Sequence, residues 1–375
     1  MIKKRLTASC MIVLLLATGC SNFGTFGSGQ EHTGNEKTQT ETDSTVTESK
    51  TQVTMTTQGE KVVTKELFAM DTYMTLTAYG DNGKDAVDQA AEEIKRLDTA
   101  LSTGNEDSEV SKLNANRGGS LTEDTQYLLE ESMELYESTG GLFDIAIYPV
   151  MEAWGFPAQD YRVPKKSELE NLLALTDASK IQYNEDEDTV SFEQEGMKID
   201  FGGIAKGYTS SRIMKIYEEQ GVTSGLVNLG GNVQALGEKP DGSKWKVGIQ
   251  DPEGKTDYLG TLSIKNQAVI TSGGYERYFE EDGKTYHHII DPRTGYPADS
   301  GLLSVTIVSS DGTLADGLST SLFIMGKDEA IKYWRDHSEE FDGILETEDG
   351  SLYVTEGIAE DFEAKGHKVE VVTVE

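Results

Sequence analysis

From Lys61 onward the apolar positions change period repeatedly along the chain, from alternation to helical spacing and back, as expected where strands and helices are mixed. Val62 to Ala78 reads as strand material interrupted at Met70-Asp71-Thr72, and Val87, Ala90, Ala91, Ile94, Leu97 and Leu101 then recur at the spacing of one helix face. The same reading predicts helices near 124–138, 204–220, 313–325 and 327–337, and strands near 225–236, 244–250, 260–271, 302–309 and 343–355. No internal repeat or long internal linker breaks the series, which predicts one α+β domain from about 61 to 362, with 363–375 as a peripheral strand or tail.

The first sixty residues follow another rule. Lys3, Lys4 and Arg5 precede the apolar run Met11 to Leu16 and then Ala17-Thr18-Gly19-Cys20, the shape of an export signal, with an apolar run too short to span a bilayer. The small residue before Cys20 resembles a bacterial lipobox, so residues 1–19 read as a lipoprotein signal and Cys20 as the lipidated mature terminus; an ordinary cleaved signal is the alternative. Residues 21–60 are Ser, Thr, Gly, Gln and Glu with few large apolar side chains, too polar to offset the entropy of folding, and predict a tether. Cys10 and Cys20 are the two cysteines, so the folded part carries no thiol and no disulfide. The formal charge of −33 repels nucleic acid, which excludes that class of partner, and an anionic substrate would need a cation to help it bind.

Three stretches concentrate chemistry. His287-His288-Ile289-Ile290-Asp291-Pro292-Arg293-Thr294-Gly295 holds two of the five histidines, and its Pro and Gly predict a tight turn that brings imidazole, carboxylate and guanidinium together. A neutral His288 beside Asp291 and Arg293 could take a proton from a hydroxyl near neutral pH, and on a strand His287 would face the other way. Asp316 and Thr320 share one face of a helix and offer oxygen ligands to a hard cation; as an isolated pair they would be a cap and an exposed hydroxyl. Asp200-Phe201-Gly202-Gly203-Ile204-Ala205-Lys206 sets an acid, two glycines and a lysine at a helix entry, suited to an oxyanion or to a plain N-cap. Other candidates favour structural readings: Gly230-Gly231-Asn232 a bulge or hairpin between strands, Trp154-Gly155-Phe156 core rather than a ligand wall, and Asn184 to Asp188 a solvated turn.

In order along the chain, Phe68 to Thr72, Asp107 to Asn114, Gly141-Leu142-Phe143-Asp144, Asp200 to Tyr208, Thr271-Ser272-Gly273-Gly274-Tyr275, His288 to Gly295 and Asp316 to Thr320 resemble the ApbE family, the FAD:protein FMN transferases. Asp71 stands where that family usually has Gly. The resemblance implies a two-lobed α+β fold with FAD as substrate in the cleft between lobes and Mg²⁺ on its pyrophosphate. It places the metal on Asp316, Thr320 and the main-chain carbonyl of Gly203. It maps FAD contacts onto Met70, Gly104, Leu142, Phe143, Asp144, Asp200, Lys206 and Ile290, and the reactive histidine onto His288. The implied reaction moves FMN from FAD to a Ser or Thr hydroxyl of an extracytoplasmic FMN-binding-domain protein, with release of AMP, at a membrane reached through the lipid on Cys20. Two alternatives share the same residues: a Mg²⁺-dependent FAD pyrophosphatase, and a lipoprotein that binds FAD without chemistry.

Overall fold

The computed structural model describes residues 49–57 and 59–375; the signal segment, Cys20 and most of the expected tether lie outside them. The chain opens with β1 (Lys50–Met55), β2 (Lys61–Ala69) and β3 (Thr72–Tyr79), followed by α1 (Gly83–Leu101), α2 (Glu109–Asn116), β4 (Gly118–Ser120) and α3 (Glu123–Ser138). Two short helices, α4 (Tyr148–Trp154) and α5 (Lys166–Leu173), lead to β5 (Ile181–Asn184), β6 (Thr189–Phe192) and α6 (Ala205–Glu219). A run of strands follows: β7 (Gly225–Leu229), β8 (Asn232–Leu236), β9 (Trp245–Gln250), β10 (Tyr258–Ile264), β11 (Ala268–Gly273), β12 (Tyr278–Glu281), β13 (Lys284–His287) and β14 (Leu302–Ser309). The chain ends with α7 (Gly312–Met325), α8 (Lys327–Asp336), β15 (Asp342–Thr347), β16 (Leu352–Thr355), β17 (Phe362–Ala364) and β18 (Val369–Val372).

A ten-stranded sheet in the order β1-β2-β3-β7-β8-β11-β14-β15-β16-β18 is the frame, antiparallel except where β18 joins β16 in parallel. Helices cover one face. The apolar stripe of α1, from Val87 to Leu101, is buried against β2, β3 and α6, and α7 lies over β11 and β14. The other face carries the small sheet β17-β10-β9, with Trp245, Leu259 and Leu262 filling the space between the layers. To one side, α2, α3 and the sheet β4-β6-β5 extend the main core, and an aromatic cluster of Trp154, Phe156, Tyr161, Phe279, Tyr286 and Tyr296 binds α4 and α5 to the β12–β13 hairpin. This is the α+β class read from the sequence, with mixed sheets.

The start of the domain differs from the sequence reading. Strand β1 pairs with β2 along its whole length, so the paired chain starts at Lys50 rather than near 61; its side chains are all exposed, and alternating apolar burial gave no cue to it. Of the two expectations for the segment after Phe362, a peripheral strand or a tail, the structure shows strand. β17 pairs with β10, and β18 covers the edge of β16 while inserting Val372 into the main core. That strand too carries a single buried residue, too few to show a period.

Candidate active site

The site is built where the turns of two hairpins meet the starts of two helices. In the β2–β3 turn both Met70 (φ +47°) and Asp71 (φ +59°) are left-handed, the geometry of a two-residue hairpin loop that favours Asn or Gly. The Met70 N–H donates to Asp98 Oδ1 (3.0 Å), and the Thr209 hydroxyl of α6 lies 3.8 Å from Met70 Sδ, which ties the turn to α1 and α6. The neighbouring β7–β8 turn, Gly230-Gly231, is the hairpin expected from its glycines. A side chain on Gly230 would overlap Thr72, so only glycine lets the two turns touch.

Helices α6 and α7 cross closely at Gly207, where any Cβ would collide with the Gly312 carbonyl and lie 2.6 Å from the Asp316 Cβ. The Gly207 N–H therefore reaches Asp316 Oδ2 at 2.8 Å, and the Asn232 Nδ2 donates to Asp316 Oδ1 at 3.0 Å. Burial raises the Asp316 carboxyl above its ordinary value, against the pull of Lys206 and these N–H donors. Thr320 follows four residues later on the same face of α7, its hydroxyl 3.2 Å from that of Ser272 on β11. Before α6, the Asp200 N–H donates to the Ile145 carbonyl and the Gly202 N–H to Asp200 Oδ1, each at 2.9 Å. Burial also raises the Asp200 carboxyl, opposed by the Gly202 N–H and by Arg277. The Phe143 ring sits 3.2 Å from where a Gly203 Cβ would be and 3.5 Å from that of Gly317, so Gly203 and the Asp316 turn flank one ring.

Sequence reasoning placed His288 with Asp291 and Arg293, and the structure separates them. Asp291 takes the Arg293 guanidinium at 2.9 and 2.7 Å and the Arg293 N–H at 2.9 Å, an intraturn pair that leaves Arg293 largely exposed. Residues two apart around a proline turn satisfy each other before either can reach elsewhere. His288 is held instead by the Arg277 carbonyl, which accepts from its backbone N–H (3.0 Å) and stands 3.2 Å from Nδ1. A carbonyl can only accept, so Nδ1 carries the proton and Nε2 keeps its lone pair. Burial, Arg277, His287 and Lys206 lower the imidazole pKa to about 3, so it is neutral through the physiological range. His287 is no bystander on an opposite face. Its Nε2 lies 3.0 Å from the Ala298 carbonyl, its Nδ1 accepts the Ile289 N–H at 3.3 Å, and its ring fills the space over Gly274.

The remaining expected residues fall around this centre. Ile290 is buried in the aromatic cluster, where the Trp154 Nε1–H donates to the Gly295 carbonyl at 2.8 Å and pins the loop. Leu142 and Phe143 are buried in the core, and Asp144 caps the following turn by accepting the Ala146 N–H at 2.8 Å, its carboxyl raised to about 6 by burial. Gly104 is exposed in a loop closed on Ser102 Oγ and has no contact that fixes a role for it. Trp154 and Phe156 are core, as expected. Two charges that sequence reasoning passed over stand beside His288. Glu276, exposed yet walled by protein, has a carboxyl raised to about 7 by desolvation, with Asp316 pushing the same way and Lys206 and Arg277 opposing. Arg277 acts electrostatically on Asp200, Glu276 and His288 together, and Lys206 on Glu276, His288 and Asp316. Their position directly after the Thr271–Tyr275 stretch was the available signal.

A cation, a buried carboxylate and a neutral imidazole with a free Nε2 thus act on one another at one place. The ApbE family model matches residues 70–345, which takes in every element of the site. The chain belongs to the ApbE family. It is an enzyme of the transferase class. Over 266 residues it is 35% identical to the FAD:protein FMN transferase of Klebsiella pneumoniae (strain 342), covering 70% of this chain and 82% of that one. It is 34% identical over 268 residues to the FAD:protein FMN transferase of Treponema pallidum (strain Nichols), covering 67% and 73%. Among solved structures the ApbE protein of Thermotoga maritima superposes with a TM-score of 0.74 at 34% identity, over 78% of this chain and 97% of that one. The flavin transferase ApbE of Vibrio cholerae gives 0.71 at 26% identity, over 79% and 97%.

The donor set of this ApbE-family chain suits a hard divalent cation that keeps part of its shell for substrate and water. Among the described residues no group of three or more His, Cys, Asp or Glu side chains is arranged to hold a metal. One carboxylate, one hydroxyl and a main-chain carbonyl remain, as with Mg²⁺ shared with phosphate. Asp316 accepts from the Gly207 and Lys206 main-chain N–H groups and from Asn232, fewer donors than the about four lone-pair positions of a carboxylate.

Proposed function

We propose that this enzyme transfers FMN from FAD to a Ser or Thr hydroxyl of an acceptor protein, with Mg²⁺, releasing AMP. The observation that carries the reading is the fixed tautomer of His288, whose Nε2 is unprotonated in a cleft that also holds Lys206 and Asp316. The acceptor oxygen attacks the FMN phosphorus of FAD, its proton passes to Nε2, and the bond from that phosphorus to the AMP oxygen breaks with its electron pair leaving on AMP. Lys206 receives the pyrophosphate, while Gly202 and Gly203 let the main chain approach it. Asp316, Thr320 and the Gly203 carbonyl would hold Mg²⁺, which when bound would neutralise charge developing on the pyrophosphate. Met70, Gly104, Leu142, Phe143, Asp144, Asp200 and Ile290 complete the flavin nucleotide site on this reading, Leu142 and Phe143 through their main chain.

The acceptors are extracytoplasmic FMN-binding-domain proteins, and the enzyme works at the outer face of the membrane, anchored through Cys20. Incubation of the full chain with FAD, Mg²⁺ and such an acceptor, read by intact-mass spectrometry, should give an acceptor heavier by FMN less water and one AMP per event. Free FMN with an unmodified acceptor would replace transfer by hydrolysis, and intact FAD would remove the catalytic reading.

A further inference from the structure

Asn232 begins β8 directly after the Gly230-Gly231 turn, and it is 3% exposed. A buried primary amide needs partners at both ends. Its Nδ2 donates to Asp316 Oδ1 at 3.0 Å, and its Oδ1 accepts from the Lys206 ammonium at 3.4 Å. Only one orientation of the amide satisfies both, since an ammonium cannot accept and an ionised carboxylate cannot donate. The turn that presents it is itself fixed, by the Gly231 N–H donating to Asn228 Oδ1 at 2.8 Å and by the contact of Gly230 with Thr72. Asp316 on α7 and Lys206 on α6 are opposite charges in a buried setting and would attract each other strongly. A direct ion pair would consume the carboxylate oxygens and turn the ammonium away from the substrate. The amide stands between the two.

We infer that Asn232 is a positioning residue that keeps Lys206 and Asp316 apart, leaving the carboxylate free for a divalent cation and the ammonium free for the pyrophosphate. This rests on the metal-dependent reading given above. With Oδ2 already engaged by Gly207, the Asn232 donor fixes the second oxygen and so sets the rotation of the whole carboxylate.

The test compares the full wild-type chain with Asn232→Leu, which keeps the branched shape and removes both hydrogen bonds. Mn²⁺ binding in the presence of FAD is followed by the electron paramagnetic resonance of the free ion, and FAD turnover is followed against Mg²⁺ concentration. Loss of a hydrogen bond to a metal ligand should weaken Mn²⁺ binding about 10- to 100-fold and raise the Mg²⁺ requirement in parallel, with the rate at saturating Mg²⁺ largely restored. A folded Asn232→Leu that binds Mn²⁺ as tightly as wild type overturns the inference. If that variant does not fold, Asn232→Ala is judged by the same measurement. Wild-type turnover of FAD in chelator would instead overturn the cation reading, and this inference with it.

Discussion

Burial and the charges of Arg277, His287 and Lys206 hold the His288 imidazole at about 3, far below the value that its type alone would suggest. A base with that pKa stays neutral from pH 5 upward, so wild-type transfer should show no acid limb near the ordinary imidazole pKa. His288→Asn should lower transfer about 10² to 10⁴-fold at every pH between 5 and 9, with FAD binding retained. Of the residues around His288 and Asp316, Glu276 is the one raised to about 7. As pH falls through 7 it gains a proton and loses the charge that repels the pyrophosphate, so apparent FAD affinity should tighten from pH 8 to 6. Glu276→Gln should remove that dependence; if it persists in the variant, Glu276 is not its source. At Asp71 the backbone is left-handed, a conformation that costs a non-glycine residue about 1 kcal/mol and Asp somewhat less. Asp71→Gly should therefore raise the urea midpoint by the equivalent of about 0.5 kcal/mol while leaving transfer intact.

Elements with a strong period were legible from the chain alone. Helix α1 announced itself through Val87, Ala90, Ala91, Ile94, Leu97 and Leu101, all buried, and the Gly230-Gly231 turn through its glycines. What escaped was partner choice across long separations. Nothing local to His288 says that the carbonyl of Arg277, eleven residues back across the β12–β13 hairpin, will hold its ring while Asp291 closes on Arg293. Nor does the sequence of α6 show that Gly207 must lie against α7. That crossing fixes the distance between the helix carrying Lys206 and the helix carrying Asp316. Gly207→Ala should force them apart, at a cost of about 1–3 kcal/mol in thermal or denaturant unfolding. Transfer should fall further than stability alone explains, because the Gly207 N–H would be drawn off Asp316.

For the whole molecule, the sheet separates the two ends of the described chain, β1 at one edge and β18 at the other. Among the described residues no helix is long and apolar enough to cross a membrane. The proposed reading places the attachment at the lipid on Cys20. Cys20→Ser should move the enzyme from the membrane to the soluble fraction with its activity in detergent unchanged; retention on the membrane would refute the anchor.

The register of β1 adds a consequence for how such an anchor works. Lys50 lies opposite Glu66, only a few residues from the Met70–Asp71 turn at the cleft, whereas Met55 lies at the far end, opposite Lys61. At about 3.3 Å per strand residue, the first paired residue is on the order of 13 Å along the sheet from that turn. On the proposed reading, the link from Cys20 would join the described chain near the mouth of the enzyme rather than at its back. Such an anchor would confine the search for a membrane-bound acceptor to two dimensions, at a raised local concentration.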